Sequence, residues 1–264
     1  MTNDSIKKFR SDLKAGQICI GAGITFCDPL ITDALGSSVD FFWIDLEHGG
    51  MSPEVLSGHL LASRARGIPG IVRLPGGHTS LVKPALDSGA DGIIVPQVRT
   101  VEEVKQLVDD CRYPPLGRRG YGPRVPSNYF RNAGTDFVEE ANESVFVAVM
   151  IETAEAYEAI DQIVAVPGLD SVVLGPADLS WSLGARGDVE NPKVVTAIET
   201  IVKKARAAGC FVGAGMGPDV DFAYRMAKRG VQWLQVGLDC AILVKQADQI
   251  RSSFHSRWDK NYKE

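Results

Sequence analysis

Short apolar runs alternate with longer segments of helical periodicity along nearly the whole chain. The apolar runs are rich in Val, Ile and Phe, are bounded by Gly or Pro, and are followed by apolar residues at helical spacing. Runs that stay apolar without alternation are typical of parallel strands, because both faces of such strands are covered. The pattern predicts eight strand–helix pairs, with strands in QICIGAGI, DFFWIDLEHG, IPGIVRLP, DGIIVPQV, SVFVAVMIE, LDSVVLGP, CFVGAG and VQWLQVGLD.

Eight consecutive strand–helix pairs in a chain of 264 residues predict an α/β fold of the (β/α)8 TIM barrel type, as one domain over residues 1–264. An open, doubly wound sheet is the alternative. In a barrel the catalytic groups lie at the carboxyl ends of the strands and in the loops just beyond them. The prediction therefore restricts the search for a site to those strand ends.

The charge composition of the chain bears on which kinds of molecule it could bind. Lys and Arg total 28 against 33 for Asp and Glu, which gives a net charge of −5, and there is no basic block. Binding to nucleic acid or to anionic lipid is therefore not expected. No apolar stretch is long enough to span a membrane, and five scattered cysteines without a C-x-x-C pair predict reduced thiols. We expect a cytoplasmic protein that acts on a small molecule.

Two acids follow strands five and six. Glu152 lies in MIET and Asp178 in LGPADLS. If these strands are neighbours, about 4.8 Å apart, the two carboxylates share a small volume and repel each other. A hard divalent cation, completed by water and substrate, would offset this repulsion. The alternative is that each acid caps the helix that follows it. Zinc is disfavoured because no cysteine stands beside a histidine in this region.

The ends of strands two and three carry the remaining candidates. Arg73, in IVRLP, offers a planar fork that matches a carboxylate or an oxyanion, and its alternative role is an ion pair with Asp45 or Glu152. His48, in IDLEHGG, is the one histidine at a predicted strand end, whereas the other three fall in helical segments. An imidazole there can take up and return a proton near neutral pH.

Six motifs, in the order IDLEHGG, IVRLP, LDSGADGIIVPQV, RYPPLGRRGYGP, MIET and LGPADLS, span nearly the whole chain. Together they resemble the HpcH/HpaI metal-dependent class II pyruvate aldolases. The resemblance implies reversible aldol cleavage of a 4-hydroxy-2-oxo acid into pyruvate and an aldehyde. It also implies Mg²⁺, Mn²⁺ or Co²⁺ as cofactor, bound by Glu152 and Asp178.

The same resemblance implies roles for further residues. Arg73 would hold the keto or enolate oxygen of pyruvate, and His48 would be the acid/base. Asp45 and Asp87 would support the histidine, with Asp87 reaching in from a neighbouring subunit. Backbone groups would contact the pyruvate carboxylate, from Gly175, Pro176 and Ala177.

The resemblance also bears on assembly. The segment of about 240–258 is helical in pattern and carries apolar residues, and a terminal helix of this kind often packs on a partner. The resemblance implies a homohexamer, built as a trimer of dimers whose subunits exchange this helix. Packing of the helix on its own barrel is the alternative.

Two positions depart from the family pattern. Met150 stands where the family usually has a glutamine, two residues before the metal-binding Glu, and Gly23 stands about where some members have a tryptophan. Loss of a ring at position 23 suggests a wider aldehyde pocket. A Schiff-base mechanism is disfavoured, because the lysines fall in helical segments and not at strand ends.

Two other functions stay open. One is a related barrel lyase or synthase, or an oxaloacetate decarboxylase, which could use an acyl-CoA as citrate-lyase-like proteins do. The other is a non-catalytic binding barrel that a metal ion stabilises.

Overall fold

A closed barrel of eight parallel strands forms the centre of the computed structural model, which describes residues 4–262. Each strand pairs with the next along the chain, and the last pairs with the first, so the predicted (β/α)8 barrel is confirmed and an open sheet is excluded. Residues 1–3 and 263–264 of the predicted domain lie outside the described residues. The strands are β1 Cys19–Ile24, β2 Phe41–Asp45, β3 Gly70–Arg73, β4 Gly92–Val95, β5 Phe146–Ile151, β6 Ser171–Leu174, β7 Phe211–Met216 and β8 Trp233–Leu238.

Helices surround the barrel, and one helix precedes it. They are α1 Asp4–Lys14, α2 Leu30–Leu35, α3 Pro53–Arg66, α4 Thr79–Asp87, α5 Val101–Cys111, α6 Thr135–Ser144, α7 Ala154–Glu158, α8 Ile160–Ile163, α9 Pro176–Ser182, α10 Pro192–Ala207, α11 Val220–Lys228 and α12 Asp239–Tyr262. No described helix is long and apolar enough to cross a membrane.

Alternate residues of each strand belong to two separate cores. In β5, Val147, Val149 and Ile151 pack outward against the helices, whereas Ala148 and Met150 point into the barrel. Successive side chains of a strand point to opposite faces, so this parity continues to the strand ends. It places Asp45, Arg73 and Glu152 on the inward face at the carboxyl rim.

Aromatic rings fill the barrel interior toward the amino ends of the strands, and α1 closes that end of the barrel. A Cβ added at Gly213 would lie 2.2 Å from the Trp233 ring, so glycine is needed there for the ring to fit. Phe9 of α1 packs against Phe41 and Phe146 with ring centroids 5.5 and 5.6 Å apart. The barrel interior is therefore a packed core rather than a channel, which leaves the carboxyl rim as the place for a site.

The last helix, α12, leaves the barrel. From Leu243 to Trp258 its side chains are exposed, and they include Ile250 and Phe254 at 62% and 59%. In a regular (β/α)8 barrel the helix after β8 packs back over the outer faces of β8 and β1. Here Ile18, just before β1, and Ile20, within β1, are left exposed instead.

Candidate active site

A bidentate ion pair links the ends of β2 and β3. Asp45 and Arg73 are paired in the strand register, and both side chains point inward. The Arg73 Nε and Nη2 atoms lie 2.9 and 2.5 Å from the two oxygens of the fully buried Asp45 carboxylate. The ion pair that we considered as the alternative role of Arg73 is therefore present, and it fixes the plane of the guanidinium.

Two further groups surround Arg73. Its Nη1 lies 3.0 Å from Glu47 Oε2, and its guanidinium carbon lies 5.3 Å from the centroid of the Trp43 ring. A guanidinium has five N–H groups; the hydrogen bonds to Asp45 use two of them, and the ion pair with Glu47 occupies a third. One N–H on each Nη atom can still donate to an anionic substrate, because the side chain keeps 12% of its surface exposed.

Glu152 is a buried acid at the end of β5. Only 3% of it is exposed, and Gln97 donates both its backbone N–H (2.7 Å) and its Nε2 (2.9 Å) to Glu152 Oε1. Burial raises the pKa of Glu152 to about 7. The Gln97 N–H opposes that rise, whereas the nearby charges of Asp178 and Glu47 add to it. The ionised form of Glu152 is therefore costly without a cation.

Asp178 lies beside Glu152 across β5 and β6, which are hydrogen-bonded neighbours as predicted. Ile151 pairs with Leu174, so Glu152 lies level with Gly175, and an added Cβ at Gly175 would come within 2.6 Å of Glu152 Oε2. Asp178 occupies the first turn of α9 and is exposed. The charge of Asp178 acts on Glu152, so the two acids that the sequence predicts as metal ligands lie near each other at this rim.

Helix capping, the alternative role of the two acids, explains the position of Asp178 but not that of Glu152. Thr153, not Glu152, caps α7, and its hydroxyl accepts a hydrogen bond from the backbone N–H of Ala156 at 3.1 Å. Asp178 does lie in the first turn of a helix, where a negative charge is favourable. Burial of Glu152 therefore has no explanation in helix capping.

A hard divalent cation fits this donor set. Among the side chains that the structure describes, no three or more of His, Cys, Asp and Glu are grouped as a metal site. The protein would thus provide two carboxylate oxygens, from Glu152 and Asp178, and leave the other positions to water and substrate. Mutual repulsion of these acids, and the raised pKa of Glu152, are what such an ion would relieve.

His48 lies in the loop after β2 and is largely exposed. Its Nε2 is 3.7 Å from Glu47 Oε2, and 65% of the side chain is open to solvent. The Asp45 carboxylate accepts the backbone N–H of His48 at 3.3 Å and that of Glu47 at 3.0 Å. Asp45 therefore shapes the loop that carries the histidine, while the imidazole itself is free to approach a bound substrate.

Asp87 is not brought to this rim in the same chain. It ends α4, just before β4 begins, which places it near the opposite end of the barrel. Its Oδ1 lies 2.7 Å from Nη2 of the buried Arg119. Any part that Asp87 plays at the carboxyl rim must concern another copy of the chain.

The three residues predicted to contact pyruvate start α9. Gly175 and Pro176 are buried and Ala177 is exposed. Gly175 precedes the helix, with Pro176 at its first position. This segment lies directly beside Glu152 Oε2, so its backbone borders the acid pair.

The position of Gly23 does not leave an open pocket. A Cβ added there would lie 2.5 Å from a methyl group of Leu238 and 3.1 Å from Gln235 Nε2. Leu238 from the end of β8 fills the space, so the widened pocket suggested by the sequence is not present at this point. Met150, the other departure, is buried in the barrel.

A buried acid anchors the loop after β1. Asp239, which is 1% exposed, accepts the backbone N–H groups of Thr25 and Phe26, both at 2.9 Å. It also accepts the Thr25 hydroxyl at 2.5 Å and the N–H of Cys240 at 2.8 Å. The loop is therefore tied to the start of α12 on the same side of the barrel as the acid pair.

Two residues of the site received no role from the sequence. Glu47 contacts Arg73 and approaches His48, and Gln97 holds Glu152. Glu47 lies at a predicted strand end between Asp45 and His48, so its position in the sequence could have indicated a place in the site. Gln97 also stood at a strand end, in PQV, but its side chain is uncharged and its role depends on a contact across strands.

The chain is similar to known proteins over most of its length. Residues 27–245 match the family described as HpcH/HpaI aldolase/citrate lyase. A hydroxypyruvate/pyruvate aldolase from Roseovarius nubinhibens is 34% identical over 91% of this chain and 94% of its own length. A 4-hydroxy-2-oxo-heptane-1,7-dioate aldolase from Klebsiella pneumoniae is 33% identical over 93% of each chain. The crystal structure of an HpcH/HpaI aldolase from Desulfitobacterium hafniense superposes with a TM-score of 0.85, at 30% identity, over 93% of this chain and 95% of that one.

Proposed function

The chain belongs to the HpcH/HpaI aldolase/citrate lyase family, and on that premise we propose that it catalyses reversible aldol cleavage of a 4-hydroxy-2-oxo acid to pyruvate and an aldehyde. One observation carries the proposal. A buried carboxylate, Glu152, with a pKa raised to about 7, shares a barrel rim with the guanidinium of Arg73. This pairing suits a reaction in which negative charge develops on a keto oxygen.

Arg73 would bind and stabilise that oxygen. The bidentate contact with Asp45 fixes its orientation before substrate binds, so little reorganisation is needed when charge develops. Its two unused N–H groups would donate to the keto oxygen as cleavage of the C3–C4 bond moves electrons onto it. Backbone groups of Gly175, Pro176 and Ala177 would orient the pyruvate carboxylate.

His48 would move the proton. In cleavage it takes the proton of the C4 hydroxyl, directly or through a water, the aldehyde leaves as the C3–C4 bond breaks, and C3 takes up a proton from solvent to give pyruvate. In condensation it returns that proton to the new hydroxyl. Glu47, 3.7 Å away, stabilises the imidazolium that forms between these steps.

Glu152 and Asp178 would hold the divalent cation, Mg²⁺, Mn²⁺ or Co²⁺. When bound, such an ion supplies Lewis-acid polarisation of the keto group. The oxygen-only ligand set and the burial of Glu152 support this assignment.

Release of pyruvate tests the proposal. We expect the purified chain to release pyruvate from 4-hydroxy-2-oxo acids, to lose this activity in EDTA, and to regain it with Mn²⁺. Glu152→Gln should lose the activity by orders of magnitude, because a bound ion contributes several kcal/mol to transition-state stabilisation. Glu155→Gln, a matched change at an exposed acid of α7, should keep it. Full activity in Glu152→Gln would refute the site assignment.

The citrate-lyase branch of the family gives the second candidate function. A related synthase, lyase or oxaloacetate decarboxylase would consume oxaloacetate, or an acyl-CoA, and leave 4-hydroxy-2-oxo acids untouched. Assays for consumption of oxaloacetate and of acyl-CoA, run beside the pyruvate-release assay, separate the two functions. Mn²⁺ binding without turnover of any of them would favour a non-catalytic barrel.

We propose further that the protein is a homo-oligomer in which α12 packs on a neighbouring copy. Leu243, Ile250 and Phe254 form one exposed apolar stripe, because residues spaced by four and seven lie on one helix face. Ile20 and Val220 lie in an apolar cleft of about 460 Å³ beside β1, β8 and α11. That cleft is where the helix after β8 would pack in a regular barrel.

A hexamer, built as a trimer of helix-exchanged dimers, would also bring Asp87 to a neighbour's rim and so give it the predicted role beside His48. Light scattering after size exclusion measures the assembly. Phe254→Asp should shift the protein to smaller species, whereas Ser252→Asp, on the other face of α12, should not. An unchanged mass for Phe254→Asp would exclude helix exchange.

A further inference from the structure

Gln97 binds the buried acid of the site with two donors. It lies directly after β4, and its backbone N–H and its Nε2 both reach Glu152 Oε1, at 2.7 and 2.9 Å. Among the described residues, the Glu152 carboxylate accepts these two hydrogen bonds and no others. Oε1 is therefore fixed, while Oε2 faces Gly175 on the side of Asp178.

The backbone at Gln97 supports a dedicated role. Its φ is 55°, in the left-handed region that residues with a Cβ rarely adopt outside turns. Such conformations persist where the surroundings hold them, and they are common near functional sites. The residues on both sides, Pro96 and Val98, are buried and hold the loop in place.

β5 itself offers no donor for this task. Met150 is the residue on the same inward face, two positions before Glu152, and its thioether cannot donate a hydrogen bond. Its terminal methyl and Glu152 Oε2 both lie against Gly175. A donor for Glu152 must therefore come from an adjacent strand, and β4 is hydrogen-bonded to β5.

From these contacts we infer that Gln97 is the positioning residue of the acid pair: it holds one oxygen of Glu152 so that the other is presented to a divalent cation. The inference rests on the proposed function for the cation alone. The hydrogen bonds to Glu152 exist without it. Partners that orient a metal ligand typically alter metal affinity by about 10- to 100-fold when removed.

The first test measures Mn²⁺ affinity by electron paramagnetic resonance, with full-length Gln97→Met and Gln106→Met. Both glutamines line the same cleft, but Gln106 lies on α5, and in the described part of the chain the hydrogen bonds to Glu152 come from Gln97. We expect Gln97→Met to raise the Kd for Mn²⁺ about tenfold or more, and to raise KM for the cation more than it lowers kcat at saturating Mn²⁺. Gln106→Met should match the wild type. Gln97→Ala, which removes the amide without adding a charge, replaces Gln97→Met if that variant does not fold.

A second readout needs no cation. The carboxylate stretching band of Glu152, identified by its loss in Glu152→Gln, is recorded by infrared spectroscopy above the pKa of the group. It should shift in Gln97→Met and not in Gln106→Met, since a lost hydrogen bond changes that stretch.

The outcomes are distinct. Gln97→Met keeps the backbone N–H bond to Glu152 and removes the bond from Nε2. Wild-type Mn²⁺ affinity and an unshifted band in this variant would therefore overturn the role of the Gln97 side chain while leaving the proposed function intact. Absence of Mn²⁺ binding and of Mn²⁺-dependent pyruvate release in the wild type would overturn the proposed function, and the role of Gln97 toward a cation with it. A shifted band would then still show that Gln97 orients Glu152.

Discussion

The burial of Glu152 predicts that the metal-free protein becomes less stable as pH rises. The pKa of this carboxyl is raised from its ordinary 4.5 to about 7 in the folded chain. Between these values the native group holds a proton that the unfolded chain has released, so the free energy of unfolding falls with rising pH in this window. The full change corresponds to about 3 kcal/mol, at about 1.4 kcal/mol for each pKa unit. This is a large part of the usual stability of a domain.

Urea unfolding in EDTA, from about pH 5 to pH 8, measures this effect. Glu152→Gln carries no ionisable group there, so its stability relative to the wild type should rise by about 2–3 kcal/mol over that range. Asp91, whose pKa burial also raises to about 7, contributes to both proteins and cancels in the comparison. Glu155→Gln should follow the wild type. Mn²⁺ at pH 8 should restore stability to the wild type and not to Glu152→Gln.

Parallel stability curves for the wild type and Glu152→Gln would refute the reasoning. They would mean that the carboxyl is ionised in the native state at no cost, either through water that reaches it or through a closer positive charge. The argument for a cation at Glu152 would then lose its electrostatic basis.

Three further predictions concern single side chains. Arg73→Lys should lower kcat for pyruvate release by about 10²- to 10³-fold, because one ammonium cannot keep both contacts with Asp45 and also donate to the substrate. Steady-state kinetics measure this effect, and a change in KM alone would contradict the prediction. Gly175→Ala should weaken Mn²⁺ binding about tenfold, because the new Cβ would crowd Glu152 Oε2; calorimetry would measure it, with unchanged affinity as the opposing result. Asp239→Ala should lower the free energy of unfolding by about 3 kcal/mol, because it leaves buried donors unpaired. Urea unfolding measures this loss, and a loss below about 1 kcal/mol would show that water replaces the carboxylate.

The barrel and the list of rim residues could be predicted from the sequence because both depend on local patterns. Continuous apolar runs specify buried parallel strands, and the parity of side chains along a strand is fixed by covalent geometry. Asp45, Arg73 and Glu152 could therefore be assigned to the carboxyl rim from their place at the ends of those runs. The pairing of β5 with β6 followed from their order along the chain.

Other features depended on contacts between distant segments. Gln97 and Glu152 are 55 positions apart, and neither residue type predicts that two donors of one would meet one oxygen of the other. Leu238 fills the space at Gly23 from the far end of the chain, and Asp87 lies away from the rim because α4 runs antiparallel to its strand. Sequence by itself determined which side chains could take part, since strand parity and residue chemistry are local. Tertiary structure alone decided which of them meet, because burial, charge and hydrogen bonding arise only where the folded chain brings separate strands together.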